Sequence, residues 1–116
     1  MKYEAPDTGS QLIYEMLCEA SRRKPALKQE MMDATGKGER EVRHVIEDMR
    51  EQGVRVVGSS DRAGYYIAED EKEYQHFRRN YISKAVTIFR RVRAMDNVTD
   101  ENQLDFIDVL IQEEKL

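Results

Sequence analysis

The sequence predicts a mainly helical α+β chain with one small β-hairpin, and three observations carry that prediction. Apolar residues recur at helical spacing in several separate segments. One stretch, GVRVVGSSDRAGYYIA from Gly53, breaks the helical rhythm with two short apolar runs around a polar, glycine-containing bend. A further 25 residues after Asp70 then hold a helical pattern without interruption.

A first helix is expected from a cap at Thr8 or Ser10 to about Arg23, with Leu12, Ile13, Met16, Leu17 and Ala20 on its inward stripe. Cys18 lies near that stripe and reads as a small core residue rather than a nucleophile. The polar run Ser21-Arg22-Arg23-Lys24 breaks the helix. Pro25 then suits the first turn of a second helix to about Ala34, burying Leu27, Met31 and Met32. Thr35-Gly36-Lys37-Gly38 is a turn, since two glycines around one lysine break helix and tolerate unusual backbone angles. A third helix runs from about Glu39 to Gln52 and stops at Gly53. It turns Val42, Val45, Ile46 and Met49 inward and Arg40, His44, Glu47 and Glu51 outward.

The hairpin pairs Arg55–Gly58 with Tyr65–Ala68 around a tip that carries Arg62. Asp70 caps the long helix, about Glu71 to Met95, which is roughly 37 Å at 1.5 Å per residue. Asn97 and Thr99-Asp100 interrupt it, and Gln103–Glu113 reads as a short acidic amphipathic helix.

Composition sets the outer limits. The chain has 116 residues, enough for one modest core, and its 36% charged and 40% apolar residues suit a soluble globular protein. No apolar run approaches the roughly 18 residues of a membrane span, and the first residues offer no apolar signal segment. A single cysteine precludes an intrachain disulfide and points to a reducing, cytoplasmic setting. The two histidines are far apart and lack ligand-type neighbours, so no metal or other cofactor is expected. No phosphate-binding glycine loop, Ser-His-Asp order or nucleophile elbow is present, which argues against an enzyme.

The net charge of −4 conceals a split. Residues 98–116 hold six acids and one lysine, a net of −5, which leaves +1 over residues 1–97. Total charge therefore does not exclude a nucleic-acid partner.

The order helix, helix, turn, helix, strand, bend, strand, helix over about residues 8–70 resembles the winged helix-turn-helix DNA-binding family. The run EREVRHVIEDMREQGVRVV followed by GYYIAEDEKEY is similar to the biotin-operon-repressor type and to small winged-helix proteins of phages and prophages. The ligase domain of the biotin repressor has no counterpart at this length, so biotin chemistry is not implied.

That resemblance implies a winged helix-turn-helix domain over residues 1–70. A long dimerising helix over 71–96 and an acidic tail helix over 97–116 follow. It also implies a regulator or replication accessory that binds double-stranded DNA. The start of the third helix enters the major groove. Arg40, Arg43, His44 and Lys37 supply that contact, while Arg22, Arg23 and Lys28 meet the backbone and Arg62 at the wing tip meets phosphate or a minor groove.

Two alternatives stay open on the residues alone. The third helix also suits a solvated face with pairs such as Glu39–Arg43 and Arg43–Glu47. Its Glu47, Asp48 and Glu51 repel phosphate, which suits a protein-interaction module that binds no DNA. On the long helix, Tyr74, Tyr81, Ile88 and Met95 stand seven apart, with Phe77 and Val92 completing a seam suited to a homodimer. The alternative is burial of this face within the chain, and a protein partner could also engage the long helix or the acidic tail.

Overall fold

The computed structural model describes residues 3–59 and 64–96. The elements are α1 (Thr8–Glu19), β1 (Ala26–Leu27), α2 (Lys28–Thr35), α3 (Glu39–Glu51), β2 (Val56–Gly58), β3 (Gly64–Ile67) and α4 (Glu71–Asp96). The chain divides into two compact units, Met1–Tyr74 and Gln75–Leu116. The first is mainly helical with a small antiparallel sheet.

The cap of α1 is Asp7, not Thr8 or Ser10. Its carboxylate accepts from the Ser10 backbone N–H at 2.7 Å, which satisfies a donor that the first turn leaves open. Ser10 is instead 1% exposed in the interior. The helix ends at Glu19, four residues short of the expected Arg23. Residues 21–24 close a tight turn: the Ser21 N–H donates to the Lys24 carbonyl and the Lys24 N–H to the Ser21 hydroxyl, each at 3.1 Å. Ile13 and Leu17 are fully buried. Leu12 and Cys18, both expected in the core, are exposed. Each lies one residue, about 100° of helix rotation, from a buried neighbour, and that turns it out of the stripe.

Pro25 does not open a helix. It precedes β1, and α2 begins three residues later. The extra strand pairs with the hairpin: Ala26 stands opposite Tyr65, and Leu27 opposite Gly64. The sheet order is β1-β3-β2, with Val56 opposite Ile67 and Gly58 opposite Tyr65. Gly64 makes this possible, because a Cβ there would lie 2.9 Å from the Ala26 carbonyl oxygen and 3.0 Å from Pro25 Cβ.

Both middle helices start the same way. A glutamate in the first turn reaches back to an open N–H: Glu30 to Leu27 at 2.9 Å in α2, and Glu41 to Gly38 at 3.3 Å in α3. Between them Gly36 takes the left-handed conformation, φ 73°, and its N–H returns to the Met32 carbonyl. The four α3 residues expected to face inward do so, with Val42 and Met49 wholly buried. They close on Ile13 and Leu17 of α1, Met31 of α2 and Val56 of β2 in one core. Each such side chain contributes about 1.5–3 kcal/mol on leaving water.

The two adjacent tyrosines face opposite ways. Tyr66 is buried and its hydroxyl donates to Glu73 at 3.1 Å. Burial first, and then the Glu73 carboxylate, holds its pKa above the ordinary tyrosine value. Tyr65 is half-buried near the Arg50 guanidinium, 6.0 Å from its ring centroid.

Arg55, expected to start a strand, lies before β2. Its side chain pairs with Glu71 and lies over the Tyr74 ring at 4.0 Å, so charge pairing and ring contact hold the start of α4 in the first unit. Asp70 caps α4 as expected, accepting from the Glu73 N–H at 2.7 Å.

Within the second unit, described over residues 75–96, Phe77 and Tyr81 stack with centroids 5.1 Å apart and Val86 is buried. The tip of the hairpin, with Arg62, and the expected tail helix lie outside the described residues.

The close approach at Gly64 is directly testable. Gly64→Ala is expected to cost about 1–3 kcal/mol by forcing β1 from β3. Gly58→Ala, where an added methyl meets nothing within 4 Å, should cost far less. Denaturant titration of both variants checks this contrast, and equal losses would refute the packing argument.

Candidate nucleic-acid interface

Burial of the apolar stripe of α3 determines which of its side chains face water. Arg40, Arg43, His44, Glu47 and Glu51 are all exposed. They do not form one uniform surface. At 100° per residue, Arg43 flanks the outward line on the α2 side, while Glu41 and Asp48 flank it on the other. Arg40, His44, Glu47 and Glu51 run between these flanks.

The α2 side holds a three-membered charge cluster. The Lys28 ammonium and the Arg43 guanidinium both donate to one oxygen, Glu39 Oε1, each at 2.9 Å. Lys28 comes from the first turn of α2 and Arg43 from the second turn of α3, so the cluster bridges the two helices across the turn. The hydrogen bond from Lys28, followed by its charge and the more modest effect of Arg43, holds the Glu39 carboxyl below the usual glutamate range.

Lys37 is also committed. Its ammonium lies 3.3 Å from Asp7 and its side chain is 18% exposed, with the stem beside Gly9. The Ser10 backbone N–H, ahead of Lys37, holds the Asp7 carboxyl low.

Arg22, Arg23 and Arg40 are exposed and join no ion pair among the described residues. Arg22 is tied by its backbone, whose N–H donates to Glu69 at 3.2 Å. His44 stands 3.8 Å from Glu47. The structure thus brings Lys28 and Arg43 together, draws Lys37 toward α1, and leaves Arg22, Arg23 and Arg40 outside any ion pair among the described residues.

The other flank of α3 is acidic. A groove of about 460 Å³ separates it from the N-terminal segment, lined by Asp7, Glu41, Glu47, Asp48 and Glu51, with Lys37 and His44 as its basic members. Tyr3 forms the floor on the segment's side, with its ring 5.2 Å from that of Tyr14. Burial raises the Tyr3 pKa. The neighbouring Ser10 hydroxyl opposes that shift without forming a regular hydrogen bond to it. Reciprocal bonds between Gln52 and the Glu4 backbone, at 2.9 and 3.1 Å, pin the segment beside the end of α3.

Sequence reading missed this groove and the Glu39 bridge. The first depends on where the leading residues settle, which no periodicity encodes. The second joins positions eleven apart on different helices, whereas the Glu39–Arg43 half was visible as an i,i+4 pair.

No group of three or more histidine, cysteine or acidic side chains among the described residues is arranged to hold a metal ion. No helix among them is long and apolar enough to cross a membrane. No protein-family model matches the chain, and comparison with curated proteins and with solved structures also gives no match.

The cluster makes a pH-dependent prediction. Because the Glu39 pKa is lowered on folding, its contribution to stability is fully present above the ordinary glutamate value and is lost as pH falls through the lowered one. Lys28→Ala should return the Glu39 titration toward the ordinary range, and Arg43→Ala should do so less. Side-chain carbon NMR of Glu39 against pH reads both shifts, and the reverse ranking would show that Lys28 is not the main partner.

Proposed function

We propose that this chain is a non-enzymatic, cytoplasmic winged-helix protein that binds double-stranded DNA as a regulator or replication accessory. The observation that carries the reading is the exposed, arginine-bearing start of α3, presented by α2 and a glycine turn and followed by a small hairpin. The order of elements departs from the one on which the resemblance rests by the added strand β1 between the first two helices, and a helix so presented can enter a major groove by its N-terminal end. Arg40 and Arg43 are assigned to base readout, where a guanidinium can take two acceptors of guanine. Arg22, Arg23, Lys28 and Arg62 are assigned to the phosphate backbone, with Lys37 and His44 as lesser contributors. A tip-first approach keeps the acidic flank of α3 away from phosphate.

The test is binding to duplex DNA as a function of salt, joined to selection from random sequence. Affinity should fall steeply with salt. Arg40→Ala should cost about 1–3 kcal/mol at a selected site and relax its sequence preference, and Arg43→Ala should weaken binding there as well. Specific binding that survives the double substitution would remove the assignment of base readout to α3.

A second reading is a protein-interaction module of the same fold. The acidic groove beside α3 favours it, because its five carboxylates suit a basic protein segment better than a phosphate backbone. Absence of DNA binding at low salt would select this reading.

The reading includes a homodimer formed through α4, which would carry two recognition helices to two half-sites. Its support is the exposed apolar stripe of Ile88, Val92 and Met95, at 57%, 41% and 78%, each about one turn from the next along the helix. Tyr81 extends the stripe by one heptad, and such a seam is self-complementary about a two-fold axis. Tyr74, first in the seven-residue series, lies under Arg55 instead, so the seam is drawn from the second unit. Sedimentation should give twice the 13.6 kDa chain mass for the wild type and the single mass for Ile88→Asp, Met95→Asp. A monomeric wild type would exclude the dimer and leave the DNA reading to its own test.

A further inference from the structure

Lys28 and Arg43 converge on a single carboxylate oxygen, at 2.9 Å from each, and all three side chains are accessible to solvent. The oxygen is anionic, lies on the outer surface of the helix pair, and takes one donor from α2 and one from α3. A phosphate oxygen has the same requirement, namely strong donors at this distance from a cation on each side.

We propose that Lys28 and Arg43 form a seat for one DNA backbone phosphate, and that Glu39 occupies this seat in the free protein as an internal competitor. The inference rests on the DNA-binding reading and deepens it: it moves Arg43 from base readout to a phosphate, leaves Arg40 to read bases, and gives the interface a residue that sets its affinity from within. When DNA arrives, the Glu39 carboxylate swings off the seat, and both cations exchange one oxygen anion for another. The exchange is feasible because all three side chains are at least a third exposed, so water screens their pairing. The low titration of Glu39 agrees with an oxygen already held by both cations. The device also has a consequence for selectivity. Loosely placed phosphate gains little over Glu39, while a duplex held in register by Arg40 meets the seat with its geometry already fixed.

The experiment compares Glu39→Gln with the wild type on a labelled mixed-sequence duplex, at low and rising salt. Glu41→Gln is the matched control, since it removes the same charge from the same helix on the opposite flank. Circular dichroism melts establish that each variant folds. Glu39→Gln is expected to bind about three- to tenfold more tightly at low salt, with the gain shrinking as salt rises. Combining it with Lys28→Ala should abolish that gain, and Glu41→Gln should gain clearly less. A wild type that binds DNA while Glu39→Gln binds no better, or no better than Glu41→Gln, overturns the competitor and leaves DNA binding intact. Binding by Glu39→Gln alone would support the competitor in its strongest form. Failure of both proteins to bind would remove the DNA reading and the phosphate seat together.

Discussion

The first unit depends on the burial of one stripe of α3. Val42, Val45, Ile46 and Met49 are at most 8% exposed, and they share one core with residues of α1, β1, α2 and β2. A helix anchored along such a stripe has little rotational freedom, because a turn of even 20–30° would expose methyl groups and open space against close-packed neighbours. The angular position of every polar residue on α3 follows from that anchorage. So do the reach of Arg43 toward Lys28, the outward line of Arg40 and His44, and the acidic flank beside the N-terminal segment.

That arrangement gives the outer surface of α3 two electrical characters. Residues 1–70 hold eleven basic and fourteen acidic side chains, so this surface is not generally attractive to nucleic acid. Positive charge in the first unit is local: Arg40 on α3 and Arg22 and Arg23 in the turn after α1 are unpaired among the described residues, while Lys28, Lys37 and Arg43 are partly cancelled by Glu39 and Asp7. Placement of single charges, more than bulk charge, therefore sets the potential along this surface. By contrast, residues 71–96 carry seven basic and three acidic side chains, alongside the exposed stripe of Ile88, Val92 and Met95.

Much of the fold was legible in the sequence, and the exceptions are instructive. The inward set of α3 was readable because its apolar residues fall at i, i+3, i+4 and i+7, and Asp70 was readable as a cap from its place before a helical run. The strand β1 was not. Two residues are too few to show alternation, and Pro25 beside them suits a helix start as well as a strand entry. In α1 the apolar residues spread around the helix, so periodicity alone could not tell Leu12 and Cys18 from Ile13 and Leu17. The candidate basic residues were identifiable by type, but their commitments were not: Lys28 meets Glu39 across a turn, and Lys37 meets Asp7 thirty positions away.

By itself the sequence determined the class of the chain, most of the extent of its four described helices, and the side of α3 that faces outward. These follow from local periodicity, caps and glycine stops, which act over a few residues. Only the tertiary structure decided that a third strand joins the hairpin, that one glutamate ties α2 to α3, and that an acidic groove lies between α3 and the N-terminal segment. Each of those depends on which distant segments meet when the core closes. The identity of a residue determines what bond it can make, and the packing of the apolar stripes determines which partner is within reach.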